Sequence, residues 1–174
     1  MPKQRNRFGG GAKTNANGLG FEIETDIAKA ISTLENYEMH GNVVIKGGEK
    51  VGEIYSKYEL YKKFLEPRQI NWANLISKRL LPDRVFINLI NGKAYIIEIK
   101  YQAVAGSVDE KLQTCDFKRK QYLKLFSSTE FSVEYVYLLN SFFANSKYSD
   151  VFEYIESVNC RYFLEEIPLG YLGL

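Results

Sequence analysis

The run Leu81-Pro82-Asp83-Arg84-Val85-Phe86-Ile87-Asn88-Leu89-Ile90-Asn91-Gly92-Lys93-Ala94-Tyr95-Ile96-Ile97-Glu98-Ile99-Lys100 carries the clearest structural signal in this chain. Two β-prone stretches flank Asn91-Gly92, the dipeptide that best tolerates the positive φ angles of a type I′ turn, so an antiparallel hairpin with a two-residue loop is expected. Such a loop pairs Ile90 with Lys93, and therefore Val85 with Glu98 and Asp83 with Lys100. Side chains alternate faces along a strand, so Glu98 and Lys100 share a face, and Asp83 joins them from the neighbouring strand. The hairpin thus predicts two carboxylates and one ammonium converging on a strand whose other residues are mostly apolar.

Around it, 174 residues, 45% of them hydrophobic and 14% aromatic, suffice for one core and give no reason to expect two. No apolar stretch follows Met1-Pro2-Lys3-Gln4-Arg5, and the longest apolar runs are strand-sized, which points to a soluble, cytoplasmic protein with no membrane partner. Cys115 and Cys160 form no CxxC pair and lie in apolar-patterned segments, as buried free thiols do. A net charge of +2 argues neither for nor against a polyanionic partner, but Lys3, Arg5, Arg7 and Lys13 all precede the first acid and surround Gly9-Gly10-Gly11. Residues 1–16 read as a flexible basic arm, either lying along phosphates or serving as a solubilising tail, and residues 17–174 as one domain.

Leu19, Ile23, Ile27, Ala30, Ile31 and Leu34 recur at helical spacing after Asn17, a plausible N-cap. Glu22 sits at the border of that stripe and can point into a site, whereas Glu24 and Asp26 read as solvated acids of a first turn. His40, the only histidine, falls in an expected loop at 39–42 before a short strand at 43–46. One histidine leaves little from which to build a Ser-His-Asp triad or a multi-histidine zinc site, so carboxylates and a metal ion remain as the means of hydrolysis. A helix is expected over 52–65, ended by Pro67, and another helical segment at Trp72 and 75–81. Ser107-Val108-Asp109-Glu110 has the spacing of a capping box, opening a helix with Leu112, Cys115, Tyr122, Leu123 and Phe126 inward and Lys118, Arg119 and Lys120 largely outward, a run that reads as a solvated face or, close to the acidic cluster, as a nucleic-acid contact. A nearly continuous β-prone run at 131–140 suits a buried central strand, followed by a short helix at 149–157 and a last strand at 161–167.

Two carboxylates on neighbouring strands suit Mg²⁺, a hard cation that prefers oxygen ligands and keeps several waters. With a lysine beside them, they have the parts needed for phosphodiester hydrolysis. The alternative is an ordinary cross-strand ion pair. The apolar, central setting of Ile96, Ile97 and Ile99 weighs against it, because carboxylates buried there without a function are costly.

Pro82-Asp83 and, after a gap of 14 residues, Glu98-Ile99-Lys100 resemble the PD-(D/E)XK nuclease motif. The order helix, hairpin, helix, strand, helix, strand is similar to that superfamily's single-domain α/β/α sandwich around a central mixed β-sheet, the restriction-endonuclease-like core. Lys100-Tyr101-Gln102, the stretch Gly106-Ser107-Val108-Asp109-Glu110-Lys111 and the ending Glu166-Ile167-Pro168-Leu169 resemble type II restriction endonucleases within it. The resemblance implies Mg²⁺-dependent cleavage of double-stranded DNA at a short specific site. It implies Asp83 and Glu98 as metal ligands, Lys100 beside the nucleophilic water, and Glu22 matching an acid that some members carry on their first helix. Gln102, Ser107 and Lys111, with Arg5, Arg7 and Lys13 of the arm, would contact DNA. Two chains related by a two-fold axis would cut the two strands, the alternatives being a monomer that nicks one strand at a time and a chain that dimerises only on DNA, and Tyr55, Tyr58 and Phe64 belong either to a surface that meets a partner or to ordinary core. The alternatives are a repair or recombination nuclease of the same superfamily and a non-catalytic DNA-binding subunit. The chain is short for a restriction enzyme, so base reading would fall to loops, the arm and a partner copy.

Overall fold

In the computed structural model, residues 26–104 and 108–174 are described. Seven strands form one sheet: β1 (Tyr37–His40), β2 (Val43–Lys46), β3 (Glu49–Tyr55), β4 (Arg84–Asn88), β5 (Lys93–Lys100), β6 (Ser132–Leu139) and β7 (Cys160–Leu164). Their order in the sheet is their order in the chain, antiparallel from β1 to β5 and parallel from β5 to β7. Only the parallel pairs need long crossovers, and there the helices lie: α2 (Val108–Leu112) and α3 (Cys115–Leu125) between β5 and β6, α4 (Ser149–Ser157) between β6 and β7. A short α1 (Ile27–Ile31) precedes the sheet, and a π-helical turn, Leu60–Leu65, follows β3.

The central strands are covered on both faces. From β5, Ala94 and Ile96 enter a large cluster with Val85, Ile87, Tyr135 and Tyr137 of the sheet and Tyr61, Phe64, Cys115, Tyr122 and Ile155 of the helical segments. Tyr95, Ile97 and Ile99 enter a smaller one with Ile27, Ile31, Phe86, Val136, Leu138 and Leu172. The architecture is mixed α/β, with β5 an interior strand between β4 and β6, where the antiparallel part of the sheet meets the parallel part.

The hairpin forms with a longer loop than expected. Asn88 pairs with Lys93 and Arg84 with Ile97, leaving residues 89–92 as a four-residue turn. Gly92 has a φ of 66°, but Asn91 is not in the left-handed region, so this is not a type I′ turn. The cause is Asn88, whose Oδ1 accepts from the Ile90 and Asn91 amides at 2.8 and 3.0 Å and so closes the loop from its own first residue. Asn88 is fully buried, and its Nδ2 donates to the Leu172 carbonyl at 2.8 Å, tying the hairpin to the chain's last turn. The pairing is displaced by two residues, so Asp83 extends toward Glu98 and not Lys100. A shift of two leaves every side chain on its expected face.

Other expectations are corrected. Residues 49–55 are strand, and helical geometry begins only at Tyr58, because β3 is covered on both faces and Val51 to Tyr55 are all buried, so no alternation marks it as a strand. His40 ends β1, paired at 3.1 Å with Glu38, and does not lie in a loop. Of the segment at 72–81 only Trp72–Asn74 is helical, as one 3₁₀ turn; the Tyr61 hydroxyl bonds both N and O of Leu80 and holds the rest irregular. The first helix stops at Ile31 and its Asp26 is an N-cap, accepting from the Ala28 amide at 3.0 Å. On α3, Leu125 is inward and Leu123 is exposed. The last strand runs from Cys160 to Leu164. Tyr55 and Phe64 are core, and of the three aromatic residues offered to a partner only Tyr58 is exposed. Cys115 and Cys160 are buried and free, as expected. Among the described residues, no helix is long and apolar enough to cross a membrane.

Gly52 shows how tightly β3 meets β4. A Cβ there would stand 2.5 Å from Cε2 of Phe86 and 2.8 Å from the Ile87 carbonyl oxygen. Gly52→Ala is therefore expected to destabilise the fold by about 1–3 kcal/mol, the range for overpacking a well-packed core. Urea unfolding measures this as a lowered midpoint, and an unchanged midpoint would show that both Phe86 and the Ile87 backbone yield freely.

Candidate active site

Asp83 stands just before β4, and its neighbour Pro82 is fixed by a hydrogen bond from the Lys57 amide to the Pro82 carbonyl, 2.9 Å. The β4–β5 ladder ends at Arg84 and Ile97, and beyond it Oδ2 of Asp83 accepts from the Ile99 amide at 2.8 Å. The side chain thus takes the place of the next backbone rung. Glu98 and Lys100, two residues apart on β5, point to the helix-covered face on which Asp83 also lies.

Lys100 is the hub. Its Nζ is 2.9 Å from Oε2 of Glu98, 3.0 Å from the Ile99 carbonyl oxygen and 3.4 Å from Oδ2 of Asp83. A fourth group arrives from above: Nζ of Lys118, on α3, is 3.2 Å from the same Oε2 of Glu98. The recess narrows inward, with side-chain exposures of 24% for Lys118, 19% for Lys100, 17% for Asp83 and 8% for Glu98. Two carboxylates and two ammoniums make it formally neutral. Taking such charges out of water is expensive, and removing one member leaves another uncompensated.

Burial disfavours the Lys100 ammonium, but the charges of Glu98 and Asp83 and their hydrogen bonds outweigh it and raise its pKa above that of an ordinary lysine. Its stabilising contribution is then complete below the unfolded lysine value of about 10.4 and lost as pH rises through the higher folded value. At neutral pH Lys100 is a cation in this state. Below the cluster lies Tyr122 of α3, fully buried, its hydroxyl without a hydrogen-bond partner among the described residues. Burial first, and then the charge of Glu98, pushes its pKa well up, so it stays a neutral phenol.

The donor set suits a hard cation. The Lys100 ammonium already occupies a cradle of three oxygens, from Asp83, Glu98 and the Ile99 carbonyl, and two carboxylates plus waters are a sufficient protein share for Mg²⁺. No group of three or more His, Cys, Asp or Glu residues gathers among the described residues.

Of the residues singled out in the sequence, Asp83, Glu98 and Lys100 come together. Glu22, Arg5, Arg7, Lys13 and Ser107 lie outside the described residues. Gln102 is 2% exposed; its main chain and the Asn140 side chain exchange hydrogen bonds of 3.0 and 2.9 Å, joining the ends of β5 and β6, and it offers DNA no surface as it stands. Lys111 is exposed on α2 and takes no part in the cluster. Lys118, expected on a solvated face, reaches Glu98. Its position three residues after Cys115 and four before Tyr122, both inward, borders the buried face, but Arg119, four after and three before, does so equally, and spacing alone does not choose between them. Comparisons of the chain with protein-family models, with curated proteins and with solved structures found no match.

Proposed function

We propose that this chain is a Mg²⁺-dependent endonuclease that hydrolyses phosphodiester bonds of double-stranded DNA, a type II restriction enzyme cutting at a short site. The observation that carries the reading is the meeting of Asp83, Glu98 and Lys100 in one recess at the end of the central hairpin. Asp83 and Glu98 would hold the metal, with the Ile99 carbonyl as a further oxygen. When bound, Mg²⁺ supplies a water of lowered pKa and positive charge for the phosphoryl oxygens. Lys100 would orient the attacking water and balance charge gathering on the phosphate. A plain ion pair accounts poorly for a glutamate with 8% side-chain exposure that serves two lysines at once.

The enzyme acts as a homodimer, each copy presenting its Asp83, Glu98 and Lys100 to one strand of a palindromic site, with Arg5, Arg7, Lys13, Ser107 and Lys111 toward the DNA. Plasmid DNA incubated with the protein and Mg²⁺ is the test. Discrete fragments are expected; a smear would favour a repair or recombination nuclease, and intact plasmid under both Mg²⁺ and Mn²⁺ would overturn the enzymatic reading in favour of a DNA-binding subunit. Sedimentation with an oligonucleotide and Ca²⁺ measures assembly, and a single 20.1 kDa species would refute the dimer.

A further inference from the structure

We infer that Lys118 is a tethered counter-cation, resting on Glu98 while the metal site is empty and moving to a DNA phosphate when the metal takes its place. This rests on the proposed function, since it takes Asp83 and Glu98 as the metal-binding pair. Three features of the recess support it.

The first is sharing. Oε2 of Glu98 accepts from Lys100 at 2.9 Å and from Lys118 at 3.2 Å, so a dication on this carboxylate meets two resident cations. The second is unequal anchorage. Lys100 has two other oxygens, the Ile99 carbonyl at 3.0 Å and Asp83 at 3.4 Å, whereas Glu98 is the one hydrogen-bond partner of the Lys118 ammonium among the described residues. When the cations compete, Lys118 is the one released. The third is position. Cys115 and Tyr122, both fully buried, hold α3 in the core, while Lys118 between them is 24% exposed in its side chain, at the outer wall of the recess. A lysine's flexible four-carbon stem lets its ammonium turn outward from a fixed backbone.

Charge gives the ligand. The four side chains sum to zero; a bound dication makes the recess doubly positive, and the released ammonium seeks an anion at its mouth. A phosphodiester oxygen of the DNA is the anion the proposed substrate brings there. Metal and DNA then favour each other's binding by the same factor, as linkage requires.

Lys118→Met, which keeps the stem and removes the charge, separates these roles. Calorimetry with Ca²⁺ and no DNA is expected to give a Kd about five- to tenfold lower than wild type, because the resident competitor is gone. Anisotropy with a labelled duplex is expected to show the Ca²⁺-dependent gain in DNA affinity reduced by about the same factor or more, and Lys118→Arg should restore part of it. A packing role for Lys118 would raise neither metal affinity nor break the coupling. Wild-type Ca²⁺ affinity in Lys118→Met, together with an undiminished Ca²⁺-dependent gain, would overturn the inference. Glu98→Gln tells the two readings apart. If wild type binds Ca²⁺ and Glu98→Gln does not, the metal site stands and only the role of Lys118 is decided by its variants; if wild type binds no Ca²⁺, both readings fall.

Discussion

Asp83→Asn and Glu98→Gln are each expected to lower Mg²⁺-dependent cleavage by about a thousandfold or more. A metal's stabilisation of transition-state charge amounts to several kcal/mol, and each ~1.4 kcal/mol is a factor of ten in rate. Neither change alters volume much, and each leaves an amide oxygen where a carboxylate oxygen stood, so the Ile99 amide keeps an acceptor in Asp83→Asn. In metal-free buffer DNA binding should persist or tighten, because a negative charge facing the phosphates has gone. Single-turnover cleavage beside anisotropy with the same duplex measures both effects. Cleavage within tenfold of wild type in either variant would remove that carboxylate from the metal site.

Lys100→Ala carries the second large effect. The group that orients the water and balances the phosphate is lost, and about a hundred- to thousandfold should go from the rate, the range for removing one preorganised donor. Metal binding should survive, since the Asp83 and Glu98 carboxylates and the Ile99 carbonyl all remain and lose a competing cation. The pairing of a lost rate with a retained Ca²⁺ isotherm distinguishes this variant from the carboxylate ones. A wild-type rate would reduce Lys100 to a partner in a structural ion pair.

The meeting of Asp83, Glu98 and Lys100 was legible because it depends only on strand parity. The hairpin slipped by two residues from its expected pairing, and parity is blind to a slip of two. The loop itself was not legible from Asn91-Gly92, since Asn88, pinned by the distant Leu172 carbonyl, closes the turn from the other end. β3 was hidden by the opposite fault: buried on both faces, it shows no period of two, and its apolar residues fitted a helix equally well. β1 alternates as an edge strand should, half-buried then exposed, but four residues are too few for the pattern to stand out. In the sequence, Lys118-Arg119-Lys120 looks like one basic run, which hides Lys118. A helix turns about 100° per residue, so such a run cannot share one environment: Lys118 and Arg119 flank the inward line of Cys115 and Tyr122 on opposite sides, Lys120 is exposed, and it is Lys118 that bonds Glu98.

The amide of Ile99 is held by a carboxylate where a strand would supply a carbonyl, which makes one backbone hydrogen a private observer of the recess. Its exchange with solvent deuterium, and its nitrogen resonance, follow the whereabouts of Asp83 and not the integrity of the sheet. Whatever draws that carboxylate toward a cation or a duplex uncovers this single position on β5, while the ladder amides nearer the hairpin turn stay protected until the strands themselves part. Occupancy of the site can therefore be followed at one peak, without substrate or turnover.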